Sequence, residues 1–346
     1  MPTVRSVQAD TPGAQLRLVE REVDEPGYGE VRVTVEACGV CHTDAFFVDG
    51  AFPGLSFPVT PGHEIAGRID AVGDGVRRWQ TGERVTVGWF GGNCGYCDPC
   101  RSGDLIHCEV GLVTGWAFPG GYADSIVVPA SALARIPDEL TAVDAAPMAC
   151  AGVTMFNSLR HSGARAGDLV AILGLGGLGH LGVQFATNMG YRTVVIARGQ
   201  EKKTLAEQLG AHHYIDSLTS DVAAELQHLG GARVVQATAA NADAMTATVD
   251  GLSPHGELLV LGVVPEPLQI SPLQLISQSK TVHGHPGGTA MDVEQTLRFA
   301  ALHGIRAMTE EVPLEDAAAG YERMLRNQAR FRVVLTTAPK LSRNAT

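Results

Sequence analysis

From Leu169 to Phe185 the chain reads Leu-Val-Ala-Ile-Leu-Gly-Leu-Gly-Gly-Leu-Gly-His-Leu-Gly-Val-Gln-Phe. Few stretches restrict a fold more. The apolar run from Leu169 to Leu173 has the length of a buried strand and carries no polar side chain. Glycines at 174, 176 and 179 follow with the spacing G-x-G-x-x-G, and Leu181, Phe185 and Met189 then recur at helical spacing. Strand, tight turn and helix are expected in that order. The first glycine permits the turn, the second lets backbone approach a pyrophosphate, and the third lets helix and strand pack closely. The helix start adds free N–H groups and the positive end of its dipole, which suit a phosphate.

The flanks extend that unit. Strand candidates recur at Thr193–Ala197, His213–Ile215, Val234–Ala237, Glu257–Leu261 and Thr281–Gly284, with helical stretches such as Gln200–Leu209 and Asp221–Leu229 between them. Such alternation predicts a doubly wound parallel sheet over 151–286, with the glycine turn at its carboxyl edge. The tail returns to helix at Asp292–His303 and Ala317–Leu325, and closes with a strand, Arg332–Thr336, expected to rejoin the first domain.

The first 150 residues have a different texture. Leu16–Glu20 and Val31–Val35 alternate at period two around the Pro26–Gly29 turn, Pro61–Gly67 opens a strand running to Gly73, and Val85–Phe90 is an apolar run. Gly120–Ala123 and Ile126–Pro129 read as the last strands, and Thr141 as the N-cap of a helix from Leu140 to Ala146. At 346 residues, two domains are expected: a mainly β one over 1–150 and 287–346, and the parallel sheet over 151–286.

The net charge of −11 argues against a nucleic acid or an anionic membrane as partner. Met1–Ser6 has no apolar signal segment, and no apolar run reaches membrane-spanning length, so a cytoplasmic location is expected. In that compartment seven cysteines are metal or catalytic candidates before they are disulfides. Four of them, Cys94, Cys97, Cys100 and Cys108, have the spacing C-x2-C-x2-C-x7-C in a Gly/Pro/Asp-rich loop over about 91–110. Four thiolates can close a tetrahedral Zn²⁺ and leave no open position, a structural site. Iron–sulfur runs share the early spacing but usually have a shorter last gap. Elsewhere, Cys41 and His63 are good zinc ligands, and Asp44 is placed to orient the His63 ring. Two ligands so far apart are suggestive only, and Cys150 alone reads equally as packing. Trp89 and Phe90 read either as pocket lining or as core.

These motifs together resemble the zinc-containing alcohol dehydrogenases of the medium-chain dehydrogenase/reductase superfamily. Gly62-His63-Glu64-x2-Gly67-x5-Gly73-x2-Val76, the four-cysteine lobe, Cys150-Ala-Gly-Val-Thr and Gly174-Leu-Gly-Gly-Leu-Gly179 match that family's features in order along nearly the whole chain. Gly88-Trp89 is similar to the broad-range alcohol dehydrogenase/aldehyde reductase branch. The resemblance implies a GroES-like catalytic domain beside a Rossmann domain, and two zinc ions per chain. It implies that Cys41, His63 and Cys150 hold the catalytic zinc with the fourth position open, that Glu64 lies behind it, and that Thr43 begins a proton relay. It implies that Gly174, Gly176, Gly177, Leu178 and Gly179 form the coenzyme turn and that His42 lies near the pyrophosphate. The implied reaction is hydride transfer between a nicotinamide and a small alcohol/aldehyde pair, with zinc as Lewis acid. Assembly as a homodimer or homotetramer is implied as well.

Two departures qualify the resemblance. Where several members carry a relay histidine this chain has Asp49, so the proton's exit runs to water or to Asp49. The strand after the glycine turn ends in Ala197-Arg198, without the Asp or Glu that holds the ribose 2′-hydroxyl of NAD. Arg198, with Lys202 and Lys203 near it, suits a 2′-phosphate. NADP(H) is therefore expected over NAD(H), which remains admissible because Glu201 is close enough in sequence to take the ribose contact. The competing readings, a zinc-free quinone or enone reductase and a non-catalytic NADP-binding protein on this fold, fit poorly with an intact Cys41, Thr43, His63 and Cys150.

Overall fold

The computed structural model describes residues 2–337. Positions 1 and 338–346, the two ends of the domain expected over 1–150 and 287–346, lie outside the described residues. The chain divides into two compact units. One contains the residues up to Cys150, Gly288–Ala301 and the chain from Ala307 onward; the other contains Ala151–Gly287 and Leu302–Arg306. The short return of 302–306 has a local cause: the Gln184 side chain donates to the Arg306 carbonyl at 3.0 Å and accepts from the Arg306 N–H at 3.3 Å.

The second unit is built on six parallel strands. Their order across the sheet is His213–Asp216, Arg192–Ala197, Leu169–Leu173, Ala232–Ala237, Leu252–Val260 and Thr281–Gly284. The chain order reverses beside Leu169–Leu173, whose five residues are all buried. A strand covered on both faces has no room for alternation, which is why this run is uniformly apolar. The glycine turn leaves it at the switch point, where open α/β sheets bind ligands. Each glycine there has a physical reason. Gly174 has φ +97°. A Cβ on Gly179 would collide with the Gly174 carbonyl oxygen, so helix and strand meet there as closely as backbone allows. Around Gly176 there is nothing within 4 Å of where a Cβ would stand. The helix Gly179–Asn188 then starts with no side-chain cap, which leaves its first N–H groups available.

The first unit is centred on a seven-stranded sheet. Along its main path lie Thr309–Pro313, Arg332–Thr336, Glu30–Gly39, Ile65–Val72, Arg84–Val87 and Leu133–Arg135, with Ser125–Pro129 pairing Glu30–Gly39 as well. The closing strand joins by antiparallel pairing of Val334 with Gly39 and Leu335 with Cys38. Its core includes Val33, Val35, Phe47, Ile65, Val85 and Ile126.

Several local expectations need correction. The Val85–Phe90 run is two strands, Arg84–Val87 and Phe90–Gly92, in different ladders. It breaks at Gly88, where the Ala149 carbonyl packs into the space a Cβ would fill. Gly120–Ala123 is not a strand; Gly120 and Gly121 donate to the carbonyls of Thr60 and Gly62, each at 2.8 Å, and only Ala123 bridges to Ser6. The strand expected from Pro61 begins at Ile65, so His63 and Glu64 sit in the turn ahead of it, with Gly62 at φ +106°. Thr43–Val48 forms a helix that the sequence did not announce. Thr141 caps its helix with a reciprocal Thr141–Asp144 capping box. No helix among the described residues is long and apolar enough to cross a membrane.

Candidate active site

The centre of the first unit is a buried anion. Asp44 lies in the first turn of the Thr43–Val48 helix and is fully buried. A buried carboxylate is tolerated only when paired and hydrogen-bonded. Asp44 meets four donors: Oδ2 accepts from the Cys41 N–H and the Tyr122 hydroxyl, both at 2.9 Å, and Oδ1 accepts from the Gly62 N–H at 3.3 Å and from His63 Nδ1 at 3.0 Å. An ionised carboxylate only accepts, so Nδ1 carries the proton and the lone pair is left on Nε2. That Nε2 is buried and has no hydrogen-bond partner.

Three separate segments converge there. Cys41 follows the Glu30–Gly39 strand, His63 precedes Ile65–Val72, and Cys150 ends the short helix Ala146–Ala149. The two sulfurs are 3.9 Å apart. One ligand atom each from Cys41, His63, Glu64 and Cys150 lies within 4.8 Å of the others. Tetrahedral zinc with Zn–S bonds of about 2.3 Å separates its sulfurs by about 3.8 Å. Two thiols, an orphaned imidazole nitrogen and this spacing fit a zinc ion. The Cys150 thiol, and beyond it His63, hold the Cys41 thiol well below the usual range despite burial, while the same contact with Cys41, and beyond it burial, pushes the Cys150 thiol well up, so the two sulfurs share one proton. Burial opposes charge on His63, but Asp44 and then Cys41 outweigh it and push its pKa well up.

Glu64 is fully buried, and Gly39 makes room for it: a Cβ there would strike its carboxylate. Arg332, from the closing strand, donates to Glu64 Oε1, while Oε2 has no partner. Burial pushes the Glu64 carboxyl up to about 7, against the pull of Arg332. Sequence reasoning missed Arg332; the available signal was a lone cation at the head of an otherwise apolar strand. It also missed Tyr122. Thr43 Oγ1 lies 3.7 Å from Cys41 Sγ. Asp49 is exposed at the C-cap of the same helix.

Beside the centre stands an aromatic cluster. Trp89 meets the His63 ring edge-on at 5.4 Å and stacks on Phe47 at 5.7 Å; Phe52 continues it and stacks on the partly exposed Trp116 at 5.2 Å. Phe90 is not part of it; it lines a separate small cavity with Trp79, Leu133 and Met291.

The cysteine lobe is a second set. Cys94 and Cys100 Sγ are 4.0 Å apart, Cys97 and Cys108 Sγ 3.8 Å, and all four sulfurs lie within 4.8 Å of one another. The N–H of Cys94 donates to the Cys108 sulfur and that of Cys97 to the Cys94 sulfur. Four sulfurs at tetrahedral spacing fit a closed zinc site.

On the second unit, Gly174, Gly176, Gly177, Leu178 and Gly179 form the turn described above. Ala197 is buried at the end of its strand, and Arg198 is exposed next to it. Asp216 accepts the Gly199 N–H at 2.7 Å, and the Tyr214 hydroxyl donates to the Gly199 carbonyl at 2.7 Å, so the loop after Ala197 is held from the neighbouring strand. The Lys202 ammonium reaches the Leu175 carbonyl in the glycine turn at 2.9 Å. The Gly176 opening and uncapped helix start fit a pyrophosphate. His42 belongs to the first unit and is exposed ahead of the Thr43–Val48 helix.

Comparison with known proteins agrees with this geometry. Residues 27–138 match the alcohol dehydrogenase GroES-like domain family and residues 177–301 the zinc-binding dehydrogenase family. The alcohol dehydrogenase patD of Penicillium expansum is 42% identical over 324 residues, 94% of this chain and 95% of that protein. A cinnamyl alcohol dehydrogenase structure from Sorghum bicolor superposes with a TM-score of 0.88 at 29% identity, covering 97% of this chain and 98% of that one. A cobalt- and zinc-bound thermostable alcohol dehydrogenase from Pyrobaculum aerophilum gives a TM-score of 0.86 at 26% identity, over 97% of this chain and 100% of that one.

Proposed function

The chain belongs to the zinc-type alcohol dehydrogenases of the medium-chain dehydrogenase/reductase superfamily, which are alcohol/aldehyde oxidoreductases, and on that premise we propose how its residues divide the work. Cys41, His63 and Cys150 hold a catalytic zinc; two cysteines and a histidine are the set by which zinc alcohol dehydrogenases in general hold it. Cys94, Cys97, Cys100 and Cys108 hold a second, structural zinc. The observation that carries the reading is the buried, unpartnered Nε2 of His63 beside two sulfurs 3.9 Å apart.

When bound, the zinc supplies a Lewis acid toward a substrate oxygen and the nicotinamide supplies the hydride partner. The remaining work falls to side chains. Asp44 fixes the His63 ring and its tautomer. Thr43 offers the hydroxyl that takes the proton from an alcohol, or returns it to an aldehyde product, and the proton's exit runs to water or Asp49. Trp89, Phe47 and Phe52 exclude water from the apolar side. Glu64 keeps a second carboxylate at the centre, its charge balanced by Arg332.

The cofactor in this reading is NADP(H) in preference to NAD(H). Ala197 leaves no carboxylate at the strand end to repel a 2′-phosphate, Arg198 is exposed beside it, and Lys202 stands at the glycine turn. Glu201 packs back over Gly199, where a Cβ would meet its carboxylate. The expected result is higher kcat/KM with NADPH than NADH on a panel of short aldehydes, with the ratio falling in Arg198→Ala and reversing in Ala197→Asp. A wild type that prefers NADH, with neither variant moving the ratio, would refute the cofactor assignment. The edge strand Thr281–Gly284, exposed at all four residues, supports assembly as a dimer or tetramer, and seven unpaired cysteines support a cytoplasmic setting.

A further inference from the structure

We propose that Tyr122 is a positioning residue of the metal centre, acting through Asp44 to fix the orientation and tautomer of His63; the inference rests on the zinc reading of Cys41, His63 and Cys150.

Two independent observations carry it. The first is the saturation of Asp44. Its two oxygens each receive two donors, which uses the roughly four acceptor sites of a carboxylate. Two of the donors are backbone N–H groups and one is the ligand itself. Tyr122 is the remaining one, and among the described residues it alone donates to Asp44 by a side chain from outside the ligand segments. With all four in place the carboxylate cannot rotate to present another face, and His63 Nδ1 has a single partner at a single angle.

The second is the way Tyr122 is seated. Tyr122 N–H donates to the Pro61 carbonyl at 3.1 Å, and the N–H groups of Gly120 and Gly121 donate to the carbonyls of Thr60 and Gly62. The Gly120–Tyr122 segment is thereby laced to the turn that delivers His63. The fully buried Tyr122 ring lies against that turn: a Cβ on Gly62 would come within 2.6 Å of Tyr122 Cδ1. Glycine at 62 thus serves both its own φ and the Tyr122 ring. The same ring contacts the His63 turn and its hydroxyl holds the carboxylate that holds His63.

Removing the hydroxyl leaves the ring wedge intact and one acceptor site of a buried anion empty. Asp44 can then tilt, and the His63 nitrogen loses its fixed approach. Changes to such outer partners typically cost 10–100-fold in metal affinity. The test is release of zinc from the purified protein to a chromophoric chelator, well below the melting temperature, in wild type, Tyr122→Phe, Asp44→Ala and the double variant. The phase belonging to the centre is assigned by its loss in Cys150→Ala. Tyr122→Phe is expected to release that zinc about 10-fold faster or more, with the phase from the cysteine lobe unchanged, which separates local loosening from a general loss of stability. In the Asp44→Ala background the same change should add less than about twofold, since partners in one network are not additive. Wild-type release in Tyr122→Phe, equal acceleration of both phases, or an undiminished effect without Asp44 would each overturn the role. A centre that takes up no zinc at all would overturn it together with the zinc reading, whereas zinc held but insensitive to Tyr122 would overturn this inference alone.

Discussion

The cysteine lobe and the buried centre offer similar metal-binding side chains in opposite settings. The lobe takes all four sulfurs from one loop, Cys94 to Cys108, with Cys94 and Cys108 partly exposed and a surface Asp104–His107 pair beside them. The centre draws its proposed ligands from positions 41, 63 and 150 and surrounds them with buried Asp44, Glu64 and Arg332. Four thiolates satisfy a zinc ion completely, so the lobe needs little behind it. An open ligand set must be held in shape by something else, and here that is a network of buried charges. A buried charge needs partners from several elements, which explains why the centre recruits a helix, a turn and the closing strand.

The widest separation between the two regions is expected from their cysteines. Cys41→Ala should take turnover below detection while the melting temperature stays near wild type. Cys97→Ala should do the reverse, lowering the melting temperature sharply or impairing assembly, because the lobe's fold is coupled to its metal. Equal effects of both on turnover and melting would erase the distinction drawn here.

Within the centre, Thr43→Val keeps the side-chain shape and removes the hydroxyl. A positioned proton transfer contributes about 10²–10⁴-fold, so kcat should fall within that range with cofactor affinity nearly unchanged. Turnover close to wild type would remove Thr43 from the mechanism.

A smaller contrast concerns the buried Glu64–Arg332 ion pair and the exposed Asp104–His107 hydrogen bond. Arg332→Met leaves Glu64 buried without its partner, which should cost about 3–5 kcal/mol of stability. Asp104→Ala breaks an exposed pair and should cost about 0–1 kcal/mol. Urea unfolding of the two variants decides the matter, and a similar cost for both would mean that burial does not govern these charges.

The same contrast governs what could be read from sequence. The lobe was legible because its ligands are neighbours in the chain and spacing is itself the signal. The glycine turn was legible for the same reason, and so was the parallel sheet, from the uniformly apolar Leu169–Leu173 and the alternation of strands with helices after it. Cys41, His63 and Cys150 carried no local signal as a set; a family resemblance linked them. The roles of Arg332 and Tyr122 were missed because they depend on strand pairing and on a turn laced to another turn. The Gly88 break and the coil at Gly120–Gly121 were misread as strand because apolar composition does not reveal where a neighbouring carbonyl needs the space of a missing Cβ. The Thr43–Val48 helix is too short for periodicity to mark it.

Two separate zinc ions, one in each region, are what the two sets of side chains are proposed to hold. The most direct measurement is elemental analysis of zinc per chain in wild type and in Cys150→Ala, both purified without chelator. The account predicts two zinc ions in wild type and one in the variant. The same zinc content in both proteins would contradict it.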